Sequence, residues 1–112
     1  EKYYSKKANS STLTAYGSFL ENLAQGRLLS ESSTNLLLNL MEKMTTGEGR
    51  IKAGLPKGLR FAQKTGTQHR RICNVGLIRG TRPDKFLVVA ACAEKFRDQK
   101  QAENSLALIG QA

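Results

Sequence analysis

The chain has 112 residues, with 18 Lys or Arg against nine Asp or Glu, so its formal net charge is +9. This length suits one modest hydrophobic core and is too short for two domains. The positive charge favours anionic small molecules or polyanions as partners. Nucleic acid is nevertheless disfavoured, because the three Tyr and four Phe are scattered and form no stacking platform.

Membrane and metal functions are also disfavoured. No apolar run approaches the length that crosses a bilayer, so we predict no membrane partner. Cys73 and Cys92 lack the Cys-x-x-Cys or Cys/His spacing of metal sites, and His69 is the single histidine. We therefore predict no metal site and no cofactor, and we interpret the two cysteines as small buried hydrophobic residues.

The first half of the chain predicts two amphipathic helices. Residues 1–11 are polar and unpatterned, which indicates a loop that belongs to a preceding segment. The first helix begins near Leu13 and ends before Gly26, which supplies a left-handed position after the helix. Ser30 is a good N-cap for the second helix, which ends before the TTGEG stretch. The expected inner faces are Leu13, Tyr16, Phe19, Leu20, Leu23 and Ala24 in the first helix, and Leu36, Leu37, Leu40, Met41 and Met44 in the second.

The second half predicts three strands and a closing helix. The periodicity becomes extended over residues 59–67, 71–79 and 85–93, and the turn residues of GTRPD make the last two strands an antiparallel hairpin. Asp98 is the N-cap of the closing helix, whose expected inner residues are Ala102, Leu106 and Ile109. This order predicts an α+β fold in which helices flank an antiparallel sheet.

Two consequences follow from this layout. In the hairpin, Cys73 and Cys92 are expected to be neighbours across the strand pair, but we predict no bond between them because disulfide geometry is restrictive. A three-stranded sheet would also leave a strand edge and part of one face uncovered. We therefore expect residues 12–112 to be the second half of a larger domain, which associates with the preceding half or with another copy.

A Lys-Thr-Gly-Thr run, residues 64–67, lies inside the first predicted strand. A strand lysine needs an anionic partner, since burying an unpaired ammonium is costly, and a strand glycine marks the close approach of a ligand or another backbone. Alternation places Lys64 and Gly66 on one face and Thr65 and Thr67 on the other, and an edge strand leaves N–H groups free. This combination suits a carboxylate or an oxyanion.

The three stretches TTGEG, RIKAGLP and KTGT, with two helices before them and a hairpin and a helix after them, resemble the C-terminal half of the class A serine β-lactamases. The resemblance covers about residues 12–112. It implies a two-domain serine hydrolase whose α/β part is built from both chain ends. It also implies a β-lactam substrate, an acyl-enzyme intermediate, and a location in the periplasm or outside the cell.

The resemblance assigns a role to each residue of the run. Lys64 would lie beside the nucleophile and hold the substrate carboxylate, and Thr65 would donate a hydrogen bond to the same carboxylate. Gly66 would let the substrate approach the strand, and the backbone N–H of Thr67 would form half of the oxyanion hole. Arg50, just before IKAGLP, would place a guanidinium behind the strand. The alternative for Arg50 is a solvated charge at a helix end.

Other family features are missing or altered. Neither Ser-x-x-Lys nor Ser-Asp-Asn occurs in the 112 residues, so we expect the nucleophile to come from outside this chain and the chain alone to be inactive. Gln63 stands where the family often carries an acid. His69, Arg70 and Arg71 are expected at the mouth of the cleft, where they either favour anionic substrate side chains or merely solvate the strand end.

Two alternatives to a β-lactamase stay open. The first is a penicillin-binding DD-peptidase or esterase of the same fold, from which a β-lactamase differs by a glutamate that promotes deacylation. The second is a non-catalytic basic domain that binds an acidic ligand or a polyanion, for which a steep salt dependence of binding would be the signature.

Overall fold

A computed structural model describes residues 10–112 of the chain. The helices are α1 (Leu13–Ala24), α2 (Glu31–Glu42), α3 (Ile51–Gly54) and α4 (Gln99–Gln111), and the strands are β1 (Arg60–Gln68), β2 (Arg71–Arg79) and β3 (Phe86–Glu94). The strands form one antiparallel sheet in the order β1-β2-β3, which confirms the predicted α+β class. Of the predicted opening loop, Ser10 and Ser11 belong to no helix or strand, and residues 1–9 lie outside the described part.

The predicted ends of the helices are confirmed at three positions. Gly26 has a φ of 72° directly after the C-cap of α1, as the left-handed position requires. The hydroxyl of Ser30 accepts a hydrogen bond from the N–H of Ser33 at the start of α2. The carboxylate of Asp98 accepts one from Lys100 at the start of α4. These caps satisfy backbone donors that would otherwise lack partners.

The helices cover both faces of the sheet. Helices α1 and α2 pack on one face around a core formed by Leu20, Leu23, Leu38, Ala62, Val75 and Leu77. Helices α3 and α4 pack on the other face around Ile51, Phe61, Ile72, Ala102 and Leu106. Strand alternation assigns successive residues of β1 to these two cores in turn, so the sheet is the middle of three layers.

The predicted inner face of α2 is wrong in part. Leu36 and Leu40 are 62% and 55% exposed, and the buried residues of this helix are Thr34 and Leu38. The reason is the run of three leucines at positions 36–38, which is compatible with more than one rotation of the helix about its axis. The predicted inner positions of Leu13, Phe19 and Ile109 in the other helices are also wrong, because these side chains are exposed. In α4, Gly110 is buried instead.

The predicted position of Cys73 opposite Cys92 is confirmed, but the prediction that no bond joins them is wrong, because they form a disulfide. They are direct partners in the register of β2 and β3, and their Cα atoms are 4.1 Å apart. Directly opposed residues of an antiparallel strand pair alternate between a wide and a narrow Cα–Cα spacing. At the narrow spacing the two side chains are close enough for their sulfur atoms to bond. The cysteines are therefore half-buried members of a cross-strand link.

Two glycines allow α3 to lie directly against α4. A Cβ atom added at Gly54 would be 1.9 Å from the carbonyl oxygen of Ala107, and one added at Gly110 would be 2.1 Å from that of Ile51. Any larger side chain would therefore separate the two helices. Because Arg50 immediately precedes α3, this close contact also determines where its side chain enters the structure.

Candidate functional site

The Lys-Thr-Gly-Thr run lies on β1, which is an edge strand of the sheet within residues 10–112. The side chains of the run alternate between the two faces of the sheet as predicted. Lys64 and Gly66 lie on the face that carries α1, whereas the hydroxyls of Thr65 and Thr67 contact Thr46 and Arg50 on the other face. Both faces of this strand therefore carry polar groups at the place where the sheet ends.

A cleft of about 450 Å³ lies between the beginning of α1 and this part of the sheet. Its floor follows the strand register, in which Gly66 is opposite Cys73, and Cys73 is opposite Cys92. Lys64 lies at one end of the floor and Arg71 at the other, separated by the disulfide. The remaining lining residues are Ser10, Ser11, Thr12, Leu13, Tyr16, Thr65, Gln68, Val75 and Glu94.

Lys64 offers a positive charge to this cleft. Its side chain is exposed, and its ammonium donates to the carbonyl oxygen of Thr65. No carboxylate among residues 10–112 forms an ion pair with it, unlike Lys52, which pairs with Glu48. An ammonium in this situation is free to bind an anion without breaking an existing pair.

Gly66 has room for a larger side chain on the face of β1 that carries Lys64. A Cβ atom added there would approach the protein no closer than 3.8 Å, at the Cβ atom of Cys73. The packing of the described residues therefore does not require a glycine at this position, in contrast to Gly54 and Gly110. This observation favours a ligand as the reason for the missing side chain.

Arg50 lies behind the strand and is only 4% exposed. One terminal nitrogen donates to the carbonyl oxygens of Gly66 (3.2 Å) and Cys73 (2.9 Å), and the other donates to the hydroxyl of Thr67 (2.7 Å). Its Nε lies 3.6 Å from a carboxylate oxygen of Glu103 on α4. A solvated charge at a helix end is therefore excluded, and the guanidinium binds the strand that carries the Lys-Thr-Gly run.

Of the three basic residues expected at the mouth of the cleft, Arg71 alone belongs to the lining within residues 10–112. Its Nε forms a half-exposed ion pair with Glu94 at 2.8 Å. Arg70 is turned away, and its guanidinium donates to the carbonyl oxygens of Lys95 and Phe96. His69 is exposed on the two-residue turn between β1 and β2. His69 and Arg70 differ from the prediction because they lie on the turn itself and not on the strands that form the floor of this cleft.

Four polar residues at this site were not predicted from the sequence. Thr46, Gln63 and Asn74 are hydrogen-bonded behind β1, and Glu103 faces Arg50. A polar residue at an inward strand position is the only signal that the sequence offers for Gln63 and Asn74. Thr46 and Glu103 give no signal, since their contacts depend on how the chain segment before α3 and helix α4 pack on the sheet.

Comparisons of sequence agree with these features. A family model described as the β-lactamase enzyme family matches residues 1–112. Beta-lactamase 3 of Bacillus cereus is 38% identical over 58 residues, which are 52% of this chain and 18% of that protein.

Comparisons of structure give the same family. The TLA-1 extended-spectrum β-lactamase is 28% identical with a TM-score of 0.80, over 90% of this chain and 39% of that one. A β-lactamase from Sphaerobacter thermophilus is 30% identical with a TM-score of 0.75, over 86% and 36%. PBP-A, of which one variant is solved as an acyl-enzyme complex with penicillin G, is 25% identical with a TM-score of 0.70, over 85% and 35%. The chain thus spans less than two fifths of the length of each of these relatives. Because the family model matches all of its residues, the chain belongs to the β-lactamase enzyme family.

Proposed function

We propose that the protein is a class A-like serine β-lactamase and that residues 12–112 form the C-terminal half of its catalytic domain. The observation that carries this proposal is the exposed Lys64 ammonium, without an acidic partner in the described chain, next to Thr65 and to Gly66, where no packing contact requires a glycine. The buried Arg50 behind the same strand supports it, since its guanidinium binds Gly66 and Thr67 directly and its positive charge, partly offset by Glu103, adds to the local potential.

In the proposed reaction, Lys64 and Thr65 bind the carboxylate of the β-lactam. A serine from outside this chain attacks the lactam carbonyl carbon, the lactam C–N bond breaks, and the nitrogen takes a proton. The backbone N–H of Thr67 points toward the developing oxyanion, because an edge strand leaves such donors unpaired. Water then cleaves the acyl ester and returns the serine. Lys64 and Thr67 are thus the catalytic groups of this half.

The proposed partner of this half is the preceding half of the same domain, with self-association as the alternative. The outer edge of β3 and the exposed Leu36 and Leu40 of α2 offer surface for such a partner. We also propose a location in the periplasm or outside the cell, supported by the Cys73–Cys92 disulfide, since such bonds persist in oxidising compartments. Among residues 10–112, no helix has the length and apolar character that crossing a membrane requires.

The proposed function is tested on the complete protein and on this chain side by side. The complete protein should hydrolyse a chromogenic cephalosporin, and its mass should rise transiently by that of benzylpenicillin during turnover. The 112-residue chain should hydrolyse neither compound, because it contains no Ser-x-x-Lys. Hydrolysis by the chain alone at a rate well above that of buffer would show that the nucleophile lies within these residues.

A penicillin-binding peptidase is the second candidate, and the similarity to PBP-A favours it. Both candidate enzymes form an acyl-enzyme with penicillin, and they differ in how fast that acyl-enzyme is hydrolysed. A β-lactamase releases the hydrolysed penicillin within seconds, whereas a penicillin-binding peptidase retains the acyl group. The lifetime of the acyl-enzyme in the mass experiment distinguishes them.

Removal of the buried guanidinium should weaken substrate binding. Arg50→Ala deletes a cation that binds the Lys-Thr-Gly strand from behind, and we expect KM for benzylpenicillin to rise roughly three- to tenfold. The increase should be smaller at high ionic strength, because part of the effect acts at long range. Lys52→Ala removes one half-exposed positive charge from helix α3, two residues along the chain from Arg50, and is the control for net charge. Equal effects of the two substitutions would mean that Arg50 contributes only net charge.

A further inference from the structure

Two amide side chains are buried directly behind the Lys-Thr-Gly strand. Gln63 of β1 is 1% exposed and Asn74 of β2 is 0% exposed, and both lie on the face that carries α3 and α4. A buried amide is costly unless its donors and its acceptor are bonded. Their bonding partners therefore reveal what the pair does.

With these partners the two amides form a chain of hydrogen bonds, here called the relay, in which each donor and each acceptor is fixed. The N–H of Ile51 donates to Oδ1 of Asn74 (3.2 Å), Nδ2 of Asn74 donates to Oε1 of Gln63 (3.0 Å), and Nε2 of Gln63 donates to the carbonyl oxygen of Thr46 (3.4 Å). A backbone N–H can only donate and a backbone carbonyl can only accept. The two ends thus determine the orientation of both amides.

The relay ends on the turn that contacts Thr65. Gly47 in this turn has a φ of 73°, and a Cβ atom added there would lie 2.5 Å from Cγ2 of Thr65 and 3.3 Å from Oε1 of Gln63. The turn is therefore packed against β1 as closely as a backbone without a side chain allows. Small displacements of the carbonyl of Thr46 would be transmitted to its own side chain.

The side chain of Thr46 meets that of Thr65, with their hydroxyl oxygens 2.9 Å apart. One of these hydroxyls donates to the other. A carboxylate accepts hydrogen bonds and donates none, so Thr65 can bind a substrate carboxylate only if its own proton is not used on Thr46. In the substrate complex Thr46 must then be the donor of this pair.

We propose that Gln63 and Asn74 are positioning residues that hold Thr46 where its hydroxyl donates to Thr65, so that the proton of Thr65 points at the substrate carboxylate. This inference rests on the proposed function of the cleft. It also accounts for glutamine at position 63, since an ionised acid there could not donate to the carbonyl of Thr46.

The test uses a double-mutant cycle in the complete protein with benzylpenicillin as substrate. Thr46 is exposed, so Thr46→Val should leave the fold intact while removing the donor. We expect KM to rise roughly two- to tenfold with little change in kcat, and Thr46→Ser to stay close to wild type. On a Thr65→Val background, Thr46→Val should have no further effect, since the hydroxyl that it serves is gone.

The amide relay is tested by Gln63→Met, which keeps the length of the side chain and loses its donor. It should raise KM in the same way as Thr46→Val, and the two changes together should raise it no further. Independent, multiplicative effects of Thr46→Val and Thr65→Val, or loss of activity in Thr46→Ser, would overturn the inference while leaving the enzyme a β-lactamase. A wild-type protein that neither hydrolyses nor is acylated by benzylpenicillin would instead contradict the proposed function.

Discussion

Lys64→Ala should lower kcat/KM of the complete protein for benzylpenicillin by roughly ten- to more than a hundredfold. The substitution removes the exposed ammonium at the end of the cleft floor, and a charge-assisted hydrogen bond of this kind is worth about 1.5–3 kcal/mol. Steady-state kinetics with benzylpenicillin and a chromogenic cephalosporin measure the loss. Both substrates should be affected, since both carry the carboxylate.

Two variants show whether the loss is specific to the ammonium. Lys64→Arg should restore part of the activity, because a planar guanidinium keeps the charge but does not reproduce a compact ammonium. His69→Ala removes an exposed ring from the neighbouring turn, outside the cleft lining, and should change little. Near-normal activity of Lys64→Ala together with an inactive His69→Ala would show that the anion site has been assigned to the wrong end of the strand.

The strand that carries this site was predictable from the sequence because two local signals agree there. The extended periodicity of residues 59–67, 71–79 and 85–93 and the turn residues around Gly80 and Pro83 predict three strands and their order. The predicted bounds differ from the structure by at most one residue. Arg50 was also placed correctly behind the strand, but on the resemblance to a family and not on its local pattern. Its bonds to Gly66 and Cys73 bring together residues 16 and 23 positions apart.

The features that escaped prediction depend on side-chain register or on the packing of distant segments. The three consecutive leucines of α2 do not define one helix face, so the exposure of Leu36 was missed. The relay from Ile51 through Asn74 and Gln63 exists only because α3 lies against α4 above the sheet. No local sequence pattern predicts the contact between α3 and α4.

Cys73 links several of these features. Its carbonyl oxygen accepts from Arg50, its Cβ is the nearest atom to the space beside Gly66, and its sulfur is bonded to Cys92. The residue therefore connects the buried cation, the open position of the cleft floor and strand β3. A change at Cys73 should accordingly affect both stability and the cleft.

Loss of the disulfide should destabilise the complete protein by about 3 kcal/mol, the loop-entropy value for a closed loop of about 15 to 20 residues. The two cysteines are 19 positions apart, and the link fixes the hairpin of β2 and β3. Urea unfolding of the oxidised protein, the reduced protein and the Cys73→Ala/Cys92→Ala variant measures the difference. Reductant should have no effect on the variant, because it has no bond left to break. If alkylation without reductant labels Cys73 and Cys92, the bond is absent from the protein in solution. An unchanged unfolding midpoint after reduction would show that the bond adds nothing to stability.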